Sequence, residues 1–344
     1  MMYNCDKLKC FVSAVMEDAG LYKRHADQFA ESLLYAQMRG IGSHGLTRLA
    51  TYYRRAKEGL VDPKAEPVIL KDMPTLLLVD GNNNMGVTTA MEVMDTCITR
   101  AKEYGTCFAA IKGGNHFGCA SFFAERAAEQ GMIGFAFANG PVAMAPIGGK
   151  EPVLGTNPMA VAIPAAGRKP FVLDMATSVV ARGKVALAAK EGREIPIGWG
   201  IDENGKDTTD PNAVTCVLPF GGAKGYGLAL MIEVLCSCLS GALTGQTMGS
   251  FYDFSGKKQD SGFFVGAINA GGLMELFGQN TAELFDSVKS SQKAEGVREI
   301  FIPGEIEQRN YEKAQQQGIT LSEPVLKELQ QLSQSCGIPL DIGE

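Results

Sequence analysis

Histidine is scarce in this chain, and the charge patterns typical of proteins that bind nucleic acid or anionic membranes are missing. The 344 residues include three histidines and one tryptophan, and the formal net charge is −6. No block or stripe of lysine and arginine is present, which argues against nucleic acid and anionic membranes as partners. An anionic small molecule would therefore need a few local cations to hold it.

Cysteine patterns of disulfide-rich and zinc-binding proteins are also missing. The nine cysteines are an odd number with no CxxC pair, and the closest two are Cys236 and Cys238. This spacing predicts neither a disulfide framework nor a metal site. Because residues 1–10 contain no apolar signal core, we expect reduced, mostly buried thiols in a cytoplasmic protein.

No apolar run has the length and purity of a membrane span. The longest, residues 226–243, is interrupted by Glu233 and by small polar residues, so we predict a buried helix there. Hydrophobic residues make up 45% and charged residues 20% of the chain, which is typical of globular proteins. The length fits two domains or one large one.

The two ends of the chain are predicted to be helical and the middle α/β. Residues 7–39 carry apolar residues at helical spacing on both sides of Gly20, and residues 46–58 predict a third helix. Residues 305–317 and 323–335 are amphipathic and are expected to pack on the N-terminal helices. We therefore predict a helical substrate and dimerisation domain (1–70 plus 305–344) and an α/β cofactor-binding domain (71–304).

The middle region alternates between strand and helix patterns, which favours an α/β core with a mixed sheet. The predicted strands are 75–80, 106–111, 132–138, 158–164, 170–174 and 263–269, and the predicted helices are 85–104, 120–129, 178–190 and 226–240.

A glycine motif near the N-terminus has the spelling of a Rossmann fingerprint but not its context. Gly40, Gly42 and Gly45 match G-x-G-x-x-G, which binds a dinucleotide only between a strand and a helix. The preceding residues 31–39 are strong helix formers. We therefore predict that this loop lies between two helices and is not a Rossmann site.

Two of the three histidines lie in glycine-bracketed loops, and His25 lies at an ordinary helix start. If a helix begins near Ser43, then His44, Arg48 and Tyr52 form one stripe at i, i+4 and i+8. That stripe offers a proton donor, a guanidinium for a carboxylate and a phenol for a second oxygen. The alternative is a helix capped by Ser43 with Arg48 and Tyr52 solvated.

The second such histidine, His116, follows a predicted strand in the sequence Gly114-Asn115-His116-Phe117-Gly118. Ligands of α/β sheets bind at the carboxyl ends of strands, so a functional role is favoured over a loop histidine that satisfies nearby backbone. Asp174 also ends a strand, where it could bind a ribose hydroxyl or cap the next helix. Lys224 lies in a glycine-rich loop that opens a helix, which suits a phosphate or carboxylate.

Together these segments resemble the malate/L-lactate dehydrogenase family, which also contains ureidoglycolate, sulfolactate and 2,3-diketogulonate dehydrogenases and piperideine- and pyrroline-2-carboxylate reductases. The matching strings run in order through about residues 30–230 and are Arg39-Gly40-Ile41-x-Ser43-His44-Gly45-x-x-Arg48-Leu49, Asn115-His116-Phe117-Gly118, Gly155-Thr156-Asn157-Pro158, Asp174-Met175-Ala176-Thr177-Ser178, Ala181-Arg182-Gly183-Lys184-Val185, Thr209-Asp210-Pro211 and Leu218-Pro219-Phe220-Gly221-Gly222-x-Lys224-Gly225-Tyr226-Gly227, where x marks a position that does not match. The C-terminal third resembles the family only weakly.

The resemblance implies a non-Rossmann, mixed-sheet dinucleotide-binding core with a helical domain, and a homodimer whose active site lies near the subunit interface. It implies that His44 or His116 moves the proton, that Ser43 orients His44 and that Arg48 binds the substrate carboxylate. The cofactor, NAD or NADP, would contact four segments of the chain. Their residues are Asp174, Met175 and Ala176 in the first, Lys224 in the second, Asn139 and Gly140 in the third, and Pro303 and Gly304 in the fourth.

The resemblance implies an oxidoreductase that interconverts a 2-hydroxy acid and its 2-oxo acid, with malate or lactate as first candidates and sulfolactate or ureidoglycolate next. Ala223 replaces a histidine that many members have, and Gly42 replaces a commonly polar residue, so the substrate stays open.

Three other functions are compatible with the sequence. The first is an NADPH-dependent cyclic imino acid reductase, and the second is a non-catalytic dinucleotide-binding protein. The third is a serine hydrolase based on Ser43, which lacks the G-x-S-x-G elbow. Neighbouring residues of a helix do not face each other, so Ser43 cannot easily use His44 as a base.

Overall fold

The computed structural model describes residues 2–343 and has the mixed α/β architecture that the sequence predicts. Within these residues the helices are α1 (Cys5–Asp18), α2 (Lys23–Met38), α3 (Leu49–Lys57), α4 (Gly86–Tyr104), α5 (Ala120–Ala128), α6 (Arg182–Lys190), α7 (Ala223–Glu233), α8 (Ala270–Leu273), α9 (Phe277–Ser290), α10 (Glu305–Gln317) and α11 (Glu323–Cys336).

The strands over the same residues are β1 (Val68–Met73), β2 (Leu76–Asp80), β3 (Thr106–Gly114), β4 (Ile133–Ala138), β5 (Val142–Met144), β6 (Leu154–Gly155), β7 (Met159–Ile163), β8 (Phe171–Met175), β9 (Gly200–Ile201), β10 (Cys216–Val217) and β11 (Ser261–Ile268). Among residues 2–343, each helix is too short or too polar to span a lipid bilayer.

A seven-stranded mixed sheet forms the centre, in the order β1-β2-β3-β11-β4-β7-β8. Only β2 and β3 run parallel, and every other neighbouring pair is antiparallel. A Rossmann sheet is mostly parallel, so this topology agrees with the prediction that the glycine motif is not a Rossmann site. A second sheet has the order β6-β5-β10-β9.

Strand β11 comes from the last third of the chain and lies in the middle of the large sheet. It pairs with β3 from Ser261 to Ile268 and with β4 from Phe263 to Ile268. A side chain at Gly262 would collide with the Cys236 carbonyl, so the strand can approach the end of α7 closely only with glycine there.

The helices at both ends of the chain pack together, as expected. Helix α10 packs on α2, and α11 packs on α1 and α3. One continuous hydrophobic core includes Leu8 of α1, Val265 of β11 and Leu329 of α11. Strand β1 covers residue 71, where the sequence predicted a domain boundary.

Several helix bounds differ from the sequence predictions. Helix α3 begins at Leu49, because two 3₁₀ turns, Gly42–His44 and Leu46–Arg48, precede it. Gly45 separates these turns where its backbone meets the Gln37 side chain. Helix α7 begins at Ala223 and passes into a π-helical turn over Val234–Cys238.

The sequence patterns did not predict β1, the short strands of the second sheet, or α9. Strand β1 is exposed at every position and therefore has no apolar alternation to detect. The four strands of the second sheet have two or three residues each, too few for a period.

A buried carboxylate joins the loops at one edge of the sheet. Glu233, only 5% exposed, accepts hydrogen bonds from Asn139 Nδ2 (3.2 Å), Asn157 Nδ2 (2.7 Å), Ser237 Oγ (3.1 Å) and the Gly245 amide (2.9 Å). Buried carboxylates need such donors because desolvation is otherwise costly.

We predict that Glu233→Gln lowers the free energy of unfolding by about 2 kcal/mol, because the new amide N–H groups would face donors. Chemical denaturation measures the change. Glu283→Gln, at an exposed position on α9, is the control and should stay within about 0.5 kcal/mol of wild type. Equal stability of both variants would contradict a structural role for the Glu233 network.

Candidate active site

The fold brings the two glycine-bracketed histidines together. His44 lies in the first 3₁₀ turn after α2, and His116 follows the end of β3. Their rings stack, with centroids 5.7 Å apart and planes 16° from parallel. Two residues separated by 72 positions in the sequence thus form one imidazole pair.

The loop of His44 is held by contacts to α2 and by its own turns. Ser43 Oγ lies 3.0 Å from His44 Nδ1, although we expected that neighbouring residues of a helix would not face each other. The expectation assumed α-helical geometry, and the loop is a 3₁₀ turn bounded by Gly42 and Gly45. Burial and then the Arg48 charge lower the pKa of His44, while Asp174 opposes this shift.

The loop of His116 is fixed through its backbone and its neighbour Asn115. Asn115 is buried, and its Nδ2 donates to the Asn84 carbonyl at 2.9 Å. The His116 amide donates to Gln259 Oε1 at 3.0 Å. Gly86 must be glycine here, because a side chain would strike the Asn115 carbonyl. The histidine is therefore held by both the N-terminal half of the sheet and the segment before β11.

Tyr52 supports His116 from behind and does not face the cleft. Its side chain is 2% exposed, and its hydroxyl forms a short hydrogen bond with His116 Nδ1. Burial raises the pKa of this phenol well above its usual range. The structure thus places the Tyr52 hydroxyl, which was predicted to contact a second substrate oxygen, against His116. The single stripe of His44, Arg48 and Tyr52 is also absent, since only Tyr52 lies within α3.

An aromatic wall closes the site on the side of the last third of the chain. The Phe251 ring packs 4.6 Å from that of His116 and 4.8 Å from that of Tyr52. Arg55 holds this segment, since its Nη1 donates to the carbonyls of Phe251 (3.2 Å) and Asp253 (2.9 Å). No sequence signal pointed to these residues, because a lone phenylalanine and a helical arginine have no distinctive pattern.

Arg48 follows His44 by four residues, and its positive charge acts on both histidines. Its Nε donates to the Ser43 carbonyl at 2.6 Å, and its guanidinium lies 5.3 Å from the centre of the Tyr252 ring. Within residues 2–343 it forms no ion pair. Glu328 is near enough for the Arg48 charge to oppose the rise in the pKa of this carboxyl that burial causes. An arginine with free N–H groups beside two histidines is suited to bind a carboxylate.

A cleft of about 570 Å³ opens beside His44. It is lined by the end of β8, the start of α5 and the segment before α10, and the predicted residues on its walls are Ser43, His44, Asp174, Met175, Ala176, Pro303 and Gly304. Asp174 Oδ2 accepts the Ser121 amide at 2.8 Å, at the N-terminus of α5, which leaves its second oxygen available. The mixture of small, apolar and few polar groups is typical of cofactor clefts of this size.

Three predicted cofactor residues do not line this cleft. Lys224 is exposed in the first turn of α7, where its loop is anchored by the Phe220 amide bonding to the Thr177 carbonyl at 3.1 Å. Asn139 uses its amide in the Glu233 network, and the Gly140 amide donates to Asn157 Oδ1 at 3.0 Å. The structure thus gives Asn139 and Gly140 an evident role in shaping the strand ends.

Residues 2–343 contain no group of three His, Cys, Asp or Glu side chains that could hold a metal ion. His25, to which no role was assigned, is buried at the start of α2, and its Nε2 lies 2.8 Å from Glu92 Oε1. Two stacked histidines, an arginine with free N–H groups and a cleft of cofactor size are groups that could serve acid–base chemistry on a small carboxylic acid.

Comparison with known proteins identifies the family. The family model described as malate/L-lactate dehydrogenase matches residues 3–330, and the chain belongs to this family. It is 37% identical to L-sulfolactate dehydrogenase of Methanocaldococcus jannaschii over 345 residues, with 99% of each chain covered. It is 37% identical to (2R)-3-sulfolactate dehydrogenase (NADP(+)) of Chromohalobacter salexigens, covering 85% and 86%. Ureidoglycolate dehydrogenase (NAD(+)) of Escherichia coli K12 is 34% identical, covering 90% of each.

Solved structures agree with this assignment. Sulfolactate dehydrogenase from M. jannaschii superposes with a TM-score of 0.93 at 36% identity, covering 99% of both chains. The Δ1-piperideine-2-carboxylate reductase from Pseudomonas syringae pv. tomato superposes with a TM-score of 0.86 at 30% identity, covering 96% of this chain and 99% of the other. The protein is therefore an oxidoreductase of the 2-hydroxy acid dehydrogenase class, and its relatives imply a nicotinamide cofactor.

Proposed function

We propose that this protein interconverts a small 2-hydroxy acid and its 2-oxo acid, with NAD or NADP as the hydride carrier. The observation that supports the proposal most directly is the stacked pair of His44 and His116 beside Arg48, whose guanidinium has no carboxylate partner in the described chain. Malate, lactate and sulfolactate each pair a carboxylate with an adjacent hydroxyl. Arg48 would bind the carboxylate, and the histidines would face the hydroxyl.

The cleft beside His44 fits a nicotinamide dinucleotide in size and lining. Asp174, Met175 and Ala176 would hold it on one wall, and Pro303 and Gly304 on the other. Lys224, exposed next to the segment of Ala176, would reach the cleft mouth and bind a phosphate. When bound, the nicotinamide supplies or accepts the hydride, and the protein positions the substrate and handles the proton.

The proton is handled by the histidine pair. One imidazole takes the hydroxyl proton as the alcohol is oxidised and returns it in the reverse direction, while the other binds the same oxygen. Ser43, 3.0 Å from His44 Nδ1, would orient that ring and would not act as a nucleophile. Sulfolactate and ureidoglycolate appear in the names of relatives, and we count them with malate and lactate as candidate substrates.

A second candidate function is reduction of a cyclic imino acid. The superposition with the piperideine-2-carboxylate reductase favours keeping it, since the same arginine and histidines could serve a carboxylate next to a C=N bond. The substrate class separates the two functions.

We predict activity with NADH or NADPH and at least one 2-oxo acid from a panel of oxaloacetate, pyruvate, sulfopyruvate and oxalurate, followed by nicotinamide absorbance. Piperideine-2-carboxylate belongs to the same panel. Turnover of this imine alone would replace the first function with the second, and no turnover of any member with either cofactor would contradict both.

Arg48→Lys should raise KM for the carboxylate substrate by about tenfold or more and change kcat less, because an ammonium cannot reproduce the two-pronged guanidinium contact. Steady-state kinetics with the best substrate of the panel measures this. Arg54→Lys, on the exposed face of α3, is a matched control that should keep the wild-type KM. An unchanged KM in Arg48→Lys would contradict the carboxylate contact.

We also propose a homodimer, a helical domain (1–70 plus 305–344) with an α/β domain (71–304), and a cytoplasmic location. The dimer is supported by apolar side chains that remain exposed on α7 and its π-helical turn, which are Leu230, Met231, Val234 and Leu239. A row of this kind on one helix is typical of a subunit interface. The nine free thiols suit a reducing compartment.

Val234→Glu is expected to shift the protein from dimer to monomer, because a charge would enter the buried interface. Light scattering after size exclusion measures the mass, and circular dichroism checks the fold. The control is Leu284→Glu, at a 60% exposed position on α9, which should leave the dimer intact. A wild-type monomer, or a Val234→Glu dimer, would refute this interface.

A further inference from the structure

The two active-site histidines differ in the groups that contact their Nδ1 atoms. His116 Nδ1 accepts from the backbone amide of Gly118 at 3.3 Å and also contacts the Tyr52 hydroxyl. His44 Nδ1 contacts only a hydroxyl, Ser43 Oγ at 3.0 Å. In the described chain neither histidine has a protein partner at Nε2.

A backbone N–H is always a donor, and this fixes the protonation of His116. Because the Gly118 amide points at Nδ1, that nitrogen must offer its lone pair and cannot carry a proton. The neutral ring then has its proton on Nε2. With Nδ1 unprotonated, the Tyr52 hydroxyl can hydrogen-bond to this atom only as a donor. A second proton on the ring would lie on Nδ1, where it would break the hydrogen bond from the Gly118 amide and require the Tyr52 hydroxyl to turn from donor to acceptor.

A hydroxyl can rotate, and this leaves His44 free to change its protonation. Ser43 Oγ can donate to an unprotonated Nδ1 or accept from a protonated one. His44 Nε2 can therefore hold a lone pair, a proton in the neutral ring, or a proton in the imidazolium, with the Ser43 contact retained in each state.

We infer that Tyr52 and the Gly118 amide hold His116 as the neutral Nε2–H tautomer, so that His116 donates a hydrogen bond to the substrate oxygen while His44 alone carries the proton. The inference rests on the proposed function for its substrate, but the tautomer of His116 follows from the fold itself. Tyr52 acts as a positioning residue, since it contacts the ring and not the substrate.

The surrounding charges agree with this division. His116 is faced by His44, Arg48 and Arg55, and packs against Phe251 and Tyr52 without a carboxylate. Burial and these cations hold the pKa of His116 well below its usual range. His44 is faced by Arg48 but also by Asp174, which favours its charged form. A neutral imidazole held by its environment can polarise a carbonyl as a hydrogen-bond donor.

The chemical step balances with these roles. In oxidation the O–H bond of the hydroxyl breaks and its proton passes to His44 Nε2, and the bound nicotinamide would accept the hydride of the adjacent C–H bond. His116 Nε2–H bonds to the same oxygen throughout and exchanges no proton. In reduction His44 Nε2 gives the proton back to that oxygen as the hydride arrives at carbon.

The test is direct, because the chain has only three histidines to observe. The full-length protein is labelled with ¹⁵N-histidine, and its imidazole nitrogens are followed by NMR from about pH 5 to about pH 9. His44→Gln and His116→Gln assign the signals. We expect His116 to show a proton on Nε2 at every pH and His44 to titrate. A His116 ring protonated on Nδ1, or one that titrates across this range, would overturn the inference.

Kinetics of the same variants give an independent readout. Glutamine can donate a hydrogen bond but cannot carry a proton, so it should replace His116 better than His44. We expect a loss in kcat/KM of about 10²-fold or more for His44→Gln, with loss of the pH-dependent limb, and about tenfold for His116→Gln, with the limb retained. The reverse pattern would assign the proton to His116.

Tyr52→Phe tests the positioning role with little change in packing. The Gly118 amide remains, so the Nε2–H tautomer should persist in the NMR spectrum, while kcat falls by about tenfold and the pH limb stays in place. A kcat equal to wild type would show that Tyr52 does not position the ring. Failure of all substrates with an intact His116 tautomer would refute the proposed function and leave the tautomer assignment standing.

Discussion

The insertion of β11 between β3 and β4 is the constraint on which the rest of the structure depends. β3 leads to His116, and β4 leads to Asn139, so the strand that separates them sets the distance between the histidine loop and the Glu233 network. The segment before β11 also supplies Phe251 and Gln259, which contact His116. Without β11 the large sheet would have a gap in its middle, and the active site would not be closed.

This arrangement explains which features the sequence could predict. Long periodic helices, short apolar strands and glycine-bracketed histidines are local patterns, and their positions agree closely with the structure. The glycine motif without Rossmann context was also a local pattern, since residues 31–39 are helix formers and all but the last lie in α2. The family resemblance came from strings that span about residues 30–230, and the comparisons confirm it.

The remaining features depend on distant contacts. Nothing near Tyr52 in the sequence shows that it would be buried behind His116, because the partner lies 64 residues away. Arg55 and Phe251 are 196 residues apart and each looks ordinary alone. The close contact of Ser43 with His44 required a 3₁₀ turn, a geometry that helical spacing rules do not describe.

Arg55 has a further consequence for how charged molecules reach the site. Arg55 is 1% exposed, and within residues 2–343 its Nη1 donates to carbonyls and to no carboxylate. Together with Arg48 it makes a locally positive pocket inside a chain of net charge −6. A doubly charged anion is therefore repelled at long range and attracted within about 8 Å, the screening length at physiological salt. Moderate salt would speed its approach while leaving its final contacts nearly intact.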